Sequence, residues 1–185
     1  MEEIKKEKLR TGFTTGTSAT AAAKAALLAI INQIKVENVD VKLPKGSFIK
    51  IPIHFCEFDK NKARCTVIKD GGDDPDVTHG AEIVVELSFT KNINEIEIDG
   101  GEGVGIVTKP GLGLELNKSA INPTPKKMIN ENLREIAGKC LVEKGIKLII
   151  SVPRGKELGP KTDNPRIGIL NGISILGTSG IVIPF

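Results

Sequence analysis

A long run of small side chains places the strongest constraint on how this chain folds. From Ser18 it reads Ser18-Ala19-Thr20-Ala21-Ala22-Ala23-Lys24-Ala25-Ala26-Leu27-Leu28. Alanine is the best helix former, and the glycine and hydroxyl residues in front of the run are typical helix-start signals. Arg10 to Ile34 therefore predicts a tightly packed small-residue helix. The rest of the core must come from bulky aliphatics, isoleucine above all. The 185 residues include no Trp, no Tyr and six Phe, so aromatics make up 3%. That scarcity excludes sequence-tolerant single-strand nucleic-acid binding and the RNA-recognition sheet, both of which need aromatic platforms. It also argues against aromatic cages for quaternary ammonium ligands. A formal charge of +3 is too small to make a phosphate backbone the main partner.

Five segments with strand character follow the helix: Val39–Leu43, Phe48–Phe58, Ala63–Lys69, Ala81–Phe89 and Asn94–Ile98. Turn residues at Lys45-Gly46 and at Asp59 to Lys62 predict antiparallel hairpins among the early ones. Ile49, Ile51, Ile53 and Phe55 alternate with polar or small residues. A second helix is expected from Thr124 as cap and Pro125 at the first helical position, with Gly145 past its end. Within it Ile129, Leu133, Ile136, Ala137, Cys140 and Leu141 form one apolar face. Lys147–Val152 then reads as a buried strand. The order predicts an α+β fold, a two-layer sandwich with a largely antiparallel or mixed sheet and two main helices.

The cysteines Cys56, Cys65 and Cys140 form no C-x-x-C pair, and their odd number argues against a disulfide framework. With His54 and His79 the only histidines, no close-spaced zinc ligands are present, and no metal site is expected. The mixed-charge start Met1–Lys8 is no signal peptide, which points to the cytoplasm. Ile167–Phe185 carries no charge, but its glycines and Pro184 suit buried strands with glycine turns better than a membrane span. A soluble chain seldom ends on its most apolar segment. The expected organisation is an α+β domain over residues 1–152, with 153–185 leading toward a second α/β unit in a longer protein.

Four segments offer ligand chemistry. Thr11–Ser18 holds five hydroxyls and two glycines in eight positions before the helix, more than a cap needs. Helix starts attract anions through free N–H groups and the dipole. Thr14, Thr15, Gly16, Thr17 and Ser18 are accordingly candidate substrate-binding residues, although no P-loop spacing is present. The plainer alternative is an ordinary capping segment. Next, Lys69–Gly80 places four aspartates in seven positions, without the calcium-loop spacing. Clustered carboxylates can raise one another's pKa and act as acid or base, which selects Asp74 and Asp76 as catalytic candidates. His79 joins the substrate-binding candidates as a proton carrier. A solvated turn is the plain reading of this stretch.

The third segment, Asp99-Gly100-Gly101-Glu102-Gly103-Val104-Gly105, fits a nucleotide-binding glycine loop, and Gly101, Glu102, Gly103, Gly105 and Thr108 are candidate cofactor-binding residues. Pro110 and its neighbouring glycines prevent a helix from following, so a Rossmann context fails. A glycine-bulged hairpin is the alternative. The fourth segment, Asn164–Gly180, suggests strand-end loops able to touch a ligand. Together the four suit a large polyanionic small molecule better than hydrolysis.

At these segments the chain resembles the CbiD family of anaerobic cobalamin biosynthesis, the cobalt-precorrin-5B (C-1)-methyltransferases. The matching stretches are RTGFTTGTSATAAAKAA at Arg10–Ala26, DGGDDPDVTHG at Asp70–Gly80 and GGEGVGIVTKPGL at Gly100–Leu112, followed by INPTPKKMI at Ile121–Ile129 and NPRIGILNGISILGTSGIV at Asn164–Val182. The resemblance implies S-adenosylmethionine-dependent methylation of a corrin-ring carbon, with a cobalt-precorrin as substrate and no protein-bound metal. Family members are roughly twice this length, so it also implies that the match is to an N-terminal portion. The chain departs from the family at Ser18, where cysteine is common, and at Asp163, where phenylalanine is common. No nucleic-acid or membrane partner is implied, and a homo-oligomer is compatible with the reading. A non-catalytic anion- or tetrapyrrole-binding module is the main alternative; a kinase-like domain lacks its P-loop lysine.

Overall fold

A computed structural model describes residues 7–185; the mixed-charge start Met1–Lys6 lies outside them. Strand β1 (Gly12–Phe13) leads through Thr14 into helix α1 (Thr15–Asn32). Thr14 is extended, and its hydroxyl accepts from the Thr17 amide, so the helix start is closed by its own side chain. From Thr15 through Leu27 every residue of α1 is buried. Alanine explains this, because methyl side chains let other elements close on all sides. Even Lys24, 8% exposed, sends its ammonium to the Asp40 carbonyl at 2.5 Å.

Two antiparallel units follow. Strands β2 (Asn38–Lys42) and β3 (Phe48–Pro52) pair as the predicted hairpin. Strands β4 (Phe55–Phe58) and β5 (Lys62–Ile68) form the second, closed by Asp59, whose carboxylate accepts from the Asn61 and Lys62 amides. The expected single strand over Phe48–Phe58 is divided at Ile53-His54. There the alternation changes phase: Ile51 is buried, whereas Phe55 is exposed and Cys56 is buried. At this bend the chain leaves the β2–β3 sheet for the main sheet, so the inward set is defined anew and moves from odd to even positions.

The main sheet adds β6 (Glu82–Thr90), β7 (Ile96–Gly100) and β9 (Gly145–Ser151), with the two-residue β8 (Ile106–Val107) lying apart from it. Its order is β4-β5-β6-β9-β7, antiparallel except for the parallel β7–β9 pair. This is the expected α+β class with a mixed, largely antiparallel sheet. Ala63, Cys65 and Val67, Ile83, Val85 and Leu87, and Ile146, Leu148 and Ile150 form the buried face, on which α1 packs against β4, β5 and β6. The opposite face carries Arg64, Glu86 and Lys147, as period-two alternation requires.

Helix α2 (Pro123–Ala137) packs on α1. It begins two residues before the expected Pro125, with Asn122 as N-cap and Pro123 at the position that needs no N–H. It also ends earlier, at Gly138 with φ 52°, and a separate turn α3 (Cys140–Glu143) carries Leu141. The apolar spacing ran past the break because Cys140 and Leu141 rejoin the same core from a new helix. Asn132, 1% exposed, uses its side-chain amide to bond both backbone groups of Lys42, at 2.9 and 3.0 Å.

The chain then passes two short helices, α4 (Gly155–Leu158) and α5 (Asn164–Ile167), to the two-residue strands β10 (Ile169–Leu170) and β11 (Ile181–Val182). Strand β10 pairs with β8 and β11 with β1. Ile173 and Ile175 are buried between them. Among the described residues no helix is long and apolar enough to cross a membrane.

Cys56 and Cys65 face each other across β4 and β5 as free thiols, both buried. Burial pushes the Cys65 thiol up, and the Cys56 side chain adds to it. Thiolate is the reactive form, so a thiol-reactive chromogenic disulfide added to the native chain should titrate half-buried Cys140 first. Cys56 and Cys65 should react only after denaturant is added. Rapid reaction of all three thiols in the native state would contradict this packing.

Candidate functional site

The start of α1, the aspartate loop and the C-terminal segment converge, although they are far apart in the chain. The Phe13 amide donates to the Asp70 carbonyl at 2.8 Å, and Arg10 and Asp73 exchange backbone and side-chain bonds. The Arg10 guanidinium grips both oxygens of Asp70, at 2.5 and 3.0 Å. A Cβ on Gly12 would overlap the Gly71 backbone, so this crossing requires glycine. On the other side the Gly16 amide donates to the Leu176 carbonyl at 2.9 Å and the Thr14 amide to Gly180. The Thr15 hydroxyl donates to Ser174 and accepts from the Leu176 amide, and that of Thr17 donates to Gly180. Ser18 returns its hydroxyl to the Thr14 carbonyl. The hydroxyl-rich helix start thus holds the 174–180 segment.

These three segments line an open-mouthed cavity of about 200 Å³. Its polar wall comes from Thr14, Thr15, Lys69, Asp76, Thr78, Asn164 and Ser174; Ile173, Leu176 and Val182 supply the apolar part. The Lys69 side chain is 2% exposed and its ammonium is ion-paired with Asp76 Oδ2. The other oxygen of Asp76 accepts from the Thr78 amide and hydroxyl at 2.7 and 2.6 Å. Burial raises the Asp76 carboxyl, but Lys69 and the two Thr78 bonds outweigh it and hold the group below the usual carboxylate range. Asp70 is held low first by Arg10, against some burial, with help from the Gly72 amide. Asp70 and Asp76 are therefore held low rather than raised, because a separate cation pairs each.

Of the sequence-selected residues, Thr14, Thr15 and Asp76 meet at this cavity. Gly16, Thr17 and Ser18 lie behind it in α1. Asp74 is half-buried in the same loop, outside the cavity lining. His79 is beyond the cavity too: its Nδ1 accepts from the Gly71 amide at 3.0 Å and lies 3.7 Å from Asp70. Lys69, Asn164 and Ser174 lie within the segments chosen from sequence, but none was picked there as a site residue. A lysine ending an apolar strand directly before an acidic loop was the available signal for the first.

The glycine loop stands next to the same segment. The Gly101 amide donates to Ile150 and Glu102 accepts from Val152. Ile173 bonds to Gly103 and Gly105, and Thr108 donates to Gly168. A Cβ on Gly103, Gly155 or Gly172 would run into a neighbouring backbone, so three chain segments meet at van der Waals range there. Glu102 and Thr108 are exposed. The loop joins the first site through Ile173 and Ser174, which are consecutive.

A larger concavity of about 700 Å³ lies over the open sheet face, lined by Glu57, Arg64, Glu86 and Lys147 among others. It contains none of the sequence-selected residues, and its charges alternate in sign from strand to strand, from Glu57 on β4 through Arg64 on β5 and Glu86 on β6 to Lys147 on β9. Among the described residues no three His, Cys, Asp or Glu side chains gather closely enough to hold a metal ion.

A family model described as CbiD matches residues 2–184. The cobalt-precorrin-5B C(1)-methyltransferase of Priestia megaterium is 49% identical over 187 residues, covering 100% of this chain and 51% of that protein. Its namesake from Geobacillus sp. (strain WCH70) is 52% identical over 180 residues, with coverages of 97% and 49%. The crystal structure of the cobalamin biosynthesis protein cbiD from Archaeoglobus fulgidus superposes with a TM-score of 0.69 at 36% identity, over 96% of this chain and 55% of that one. The chain spans about half the length of the curated relatives it matches.

Proposed function

This chain belongs to the CbiD family, and from that premise we propose that it takes part in S-adenosylmethionine-dependent methylation of C-1 of cobalt-precorrin-5B. The observation that carries the proposal is the near-50% identity, along the whole chain, to relatives bearing that name. In the reaction a ring carbon attacks the sulfonium methyl, the S–CH3 bond breaks as the C–C bond forms, and a neutral thioether departs. Such a displacement needs alignment of donor and acceptor more than a protein nucleophile. The cytoplasm is the proposed setting, and cobalt belongs to the substrate.

The site geometry supports a division of roles. Thr14 and Thr15 line the wall near which the acidic periphery of the macrocycle would lie, Gly16, Thr17 and Ser18 support it from behind, and His79 stands on the outer side of the loop. Glu102 and Thr108, exposed beside Gly101, Gly103 and Gly105, form a second contact edge for the methyl donor. Asp76 serves as the fixed negative charge, and Asp74 is the proposed proton-handling carboxylate. A cavity of about 200 Å³ is below the ~300–1,000 Å³ of ordinary ligand pockets, so a macrocycle lies across this surface and only an end of a ligand enters. Residues 153–185 are the proposed junction to a further α/β unit, which would cover exposed Ile183 and Phe185.

Transfer of a labelled methyl group to cobalt-precorrin-5B tests the reading, and binding without transfer would favour a tetrapyrrole-binding module. Asp74→Asn should lower turnover by about 10²-fold while leaving the melting temperature unchanged, since no side-chain bond is lost. Parental turnover in that variant would return Asp74 to an ordinary turn.

A further inference from the structure

Opposite charges stand together in the small cavity between α1, the aspartate loop and residues 162–182. Lys69 is almost wholly enclosed and Asp76 is 20% exposed. A lone anion entering here would meet Asp76 as well as Lys69, and a lone cation would meet Lys69. A zwitterion finds a counter-charge at both ends. An ammonium has three donors, one of which goes to Asp76. The Thr78 hydroxyl donates to Asp76 and keeps its lone pairs for an incoming N–H. Ile173, Leu176 and Val182 add an apolar wall suited to a methylene chain. At about 30 Å³ per water, the cavity has room for about six or seven water-sized groups. That suits an amino-acid head and short chain, but not a nucleoside as well.

We infer that this cavity receives an α-amino-acid zwitterion, its carboxylate at Lys69 and its ammonium at Asp76 and Thr78. Under the methyl-transfer reading, on which the identity of the ligand rests, the group is the methionyl end of the methyl donor. The remainder of the donor then lies outside, along residues 172–176 toward the glycine loop.

Calorimetric titration of the chain with S-adenosylhomocysteine and with 5′-methylthioadenosine tests this, because the second compound keeps the nucleoside and thioether and lacks the amino-acid end. S-adenosylhomocysteine should bind tighter by on the order of tenfold or more. In the double variant Lys69→Met/Asp76→Leu, which removes both charges together and leaves no unpaired ion, the two affinities should converge. Equal affinities in the parent, or an undiminished difference in a folded double variant, overturn the inference while donor binding itself stands. If neither compound binds, the donor-binding reading and this inference fall together. Should the double variant not fold, the α-N-acetyl derivative of S-adenosylhomocysteine decides on the parent chain. It should lose affinity on the order of tenfold, and unchanged affinity would refute the assignment.

Discussion

Replacing Asp76 with alanine should destabilise the fold by about 3–5 kcal/mol, because the Lys69 ammonium would stay buried without its counter-charge. For a chain of this size that lowers the melting temperature by about 10 °C, and removing Lys69 as well should recover much of the loss. A single variant melting within about 1 °C of the parent would show that the pair is not enclosed. The same pair predicts an acid limb. The Asp76 pKa is depressed on folding, so its contribution is fully present above the unfolded value. It is lost as pH falls through the ordinary 3.8 toward the folded value. Stability measured below pH 4 should therefore fall more steeply in the parent than in Asp76→Asn. A consequence for activity assays is that a loss in Asp76 variants mixes unfolding with any change in chemistry, whereas Asp74→Asn leaves the fold in place and so tests the proposed role of Asp74 directly.

The second large effect is expected at Gly103. Its φ of 75° favours glycine, and a Cβ would overlap the Val152 carbonyl. Gly103→Ala combines about 1–2 kcal/mol of left-handed backbone strain with about 1–3 kcal/mol of overpacking. Gly111→Ala is the matched comparison, since φ is 98° there and nothing lies within 4 Å of the added carbon. Urea denaturation should show the first variant losing clearly more stability than the second. Equal losses would mean that the 101–105 loop has room and that the glycine meeting point with Gly155 and Gly172 is not tight.

Local signals made part of this structure legible. The alanine run and the hydroxyl before it marked α1, and Asp59 marked the β4–β5 turn, since those features act over a few residues. The start of α2 was missed because Thr124-Pro125 and Asn122-Pro123 are equivalent as cap and first residue; tertiary contact chose the earlier pair. The phase change after Ile53 was hidden because His54 falls within an otherwise alternating pattern. At the site, the converging loops were recognisable from their glycines and hydroxyls. Their partners were not, since Thr15 meets Ser174 and Leu176 at separations of 159 and 161 residues. Lys69 was obscured for a different reason: a lysine at a strand end ordinarily reaches solvent, and only the loop folding back over it encloses the charge.

Strand β9 lies between β6 and β7 although both precede it in sequence. The edge of β6 therefore has no partner until residue 145 and beyond have been synthesised, and β7 has no place in the sheet before then. Contacts of such long sequence separation slow folding and leave a strand edge open to association meanwhile. Refolding of this chain should thus be slow and sensitive to protein concentration, with the β2–β3 and β4–β5 hairpins ordering ahead of the central ladder.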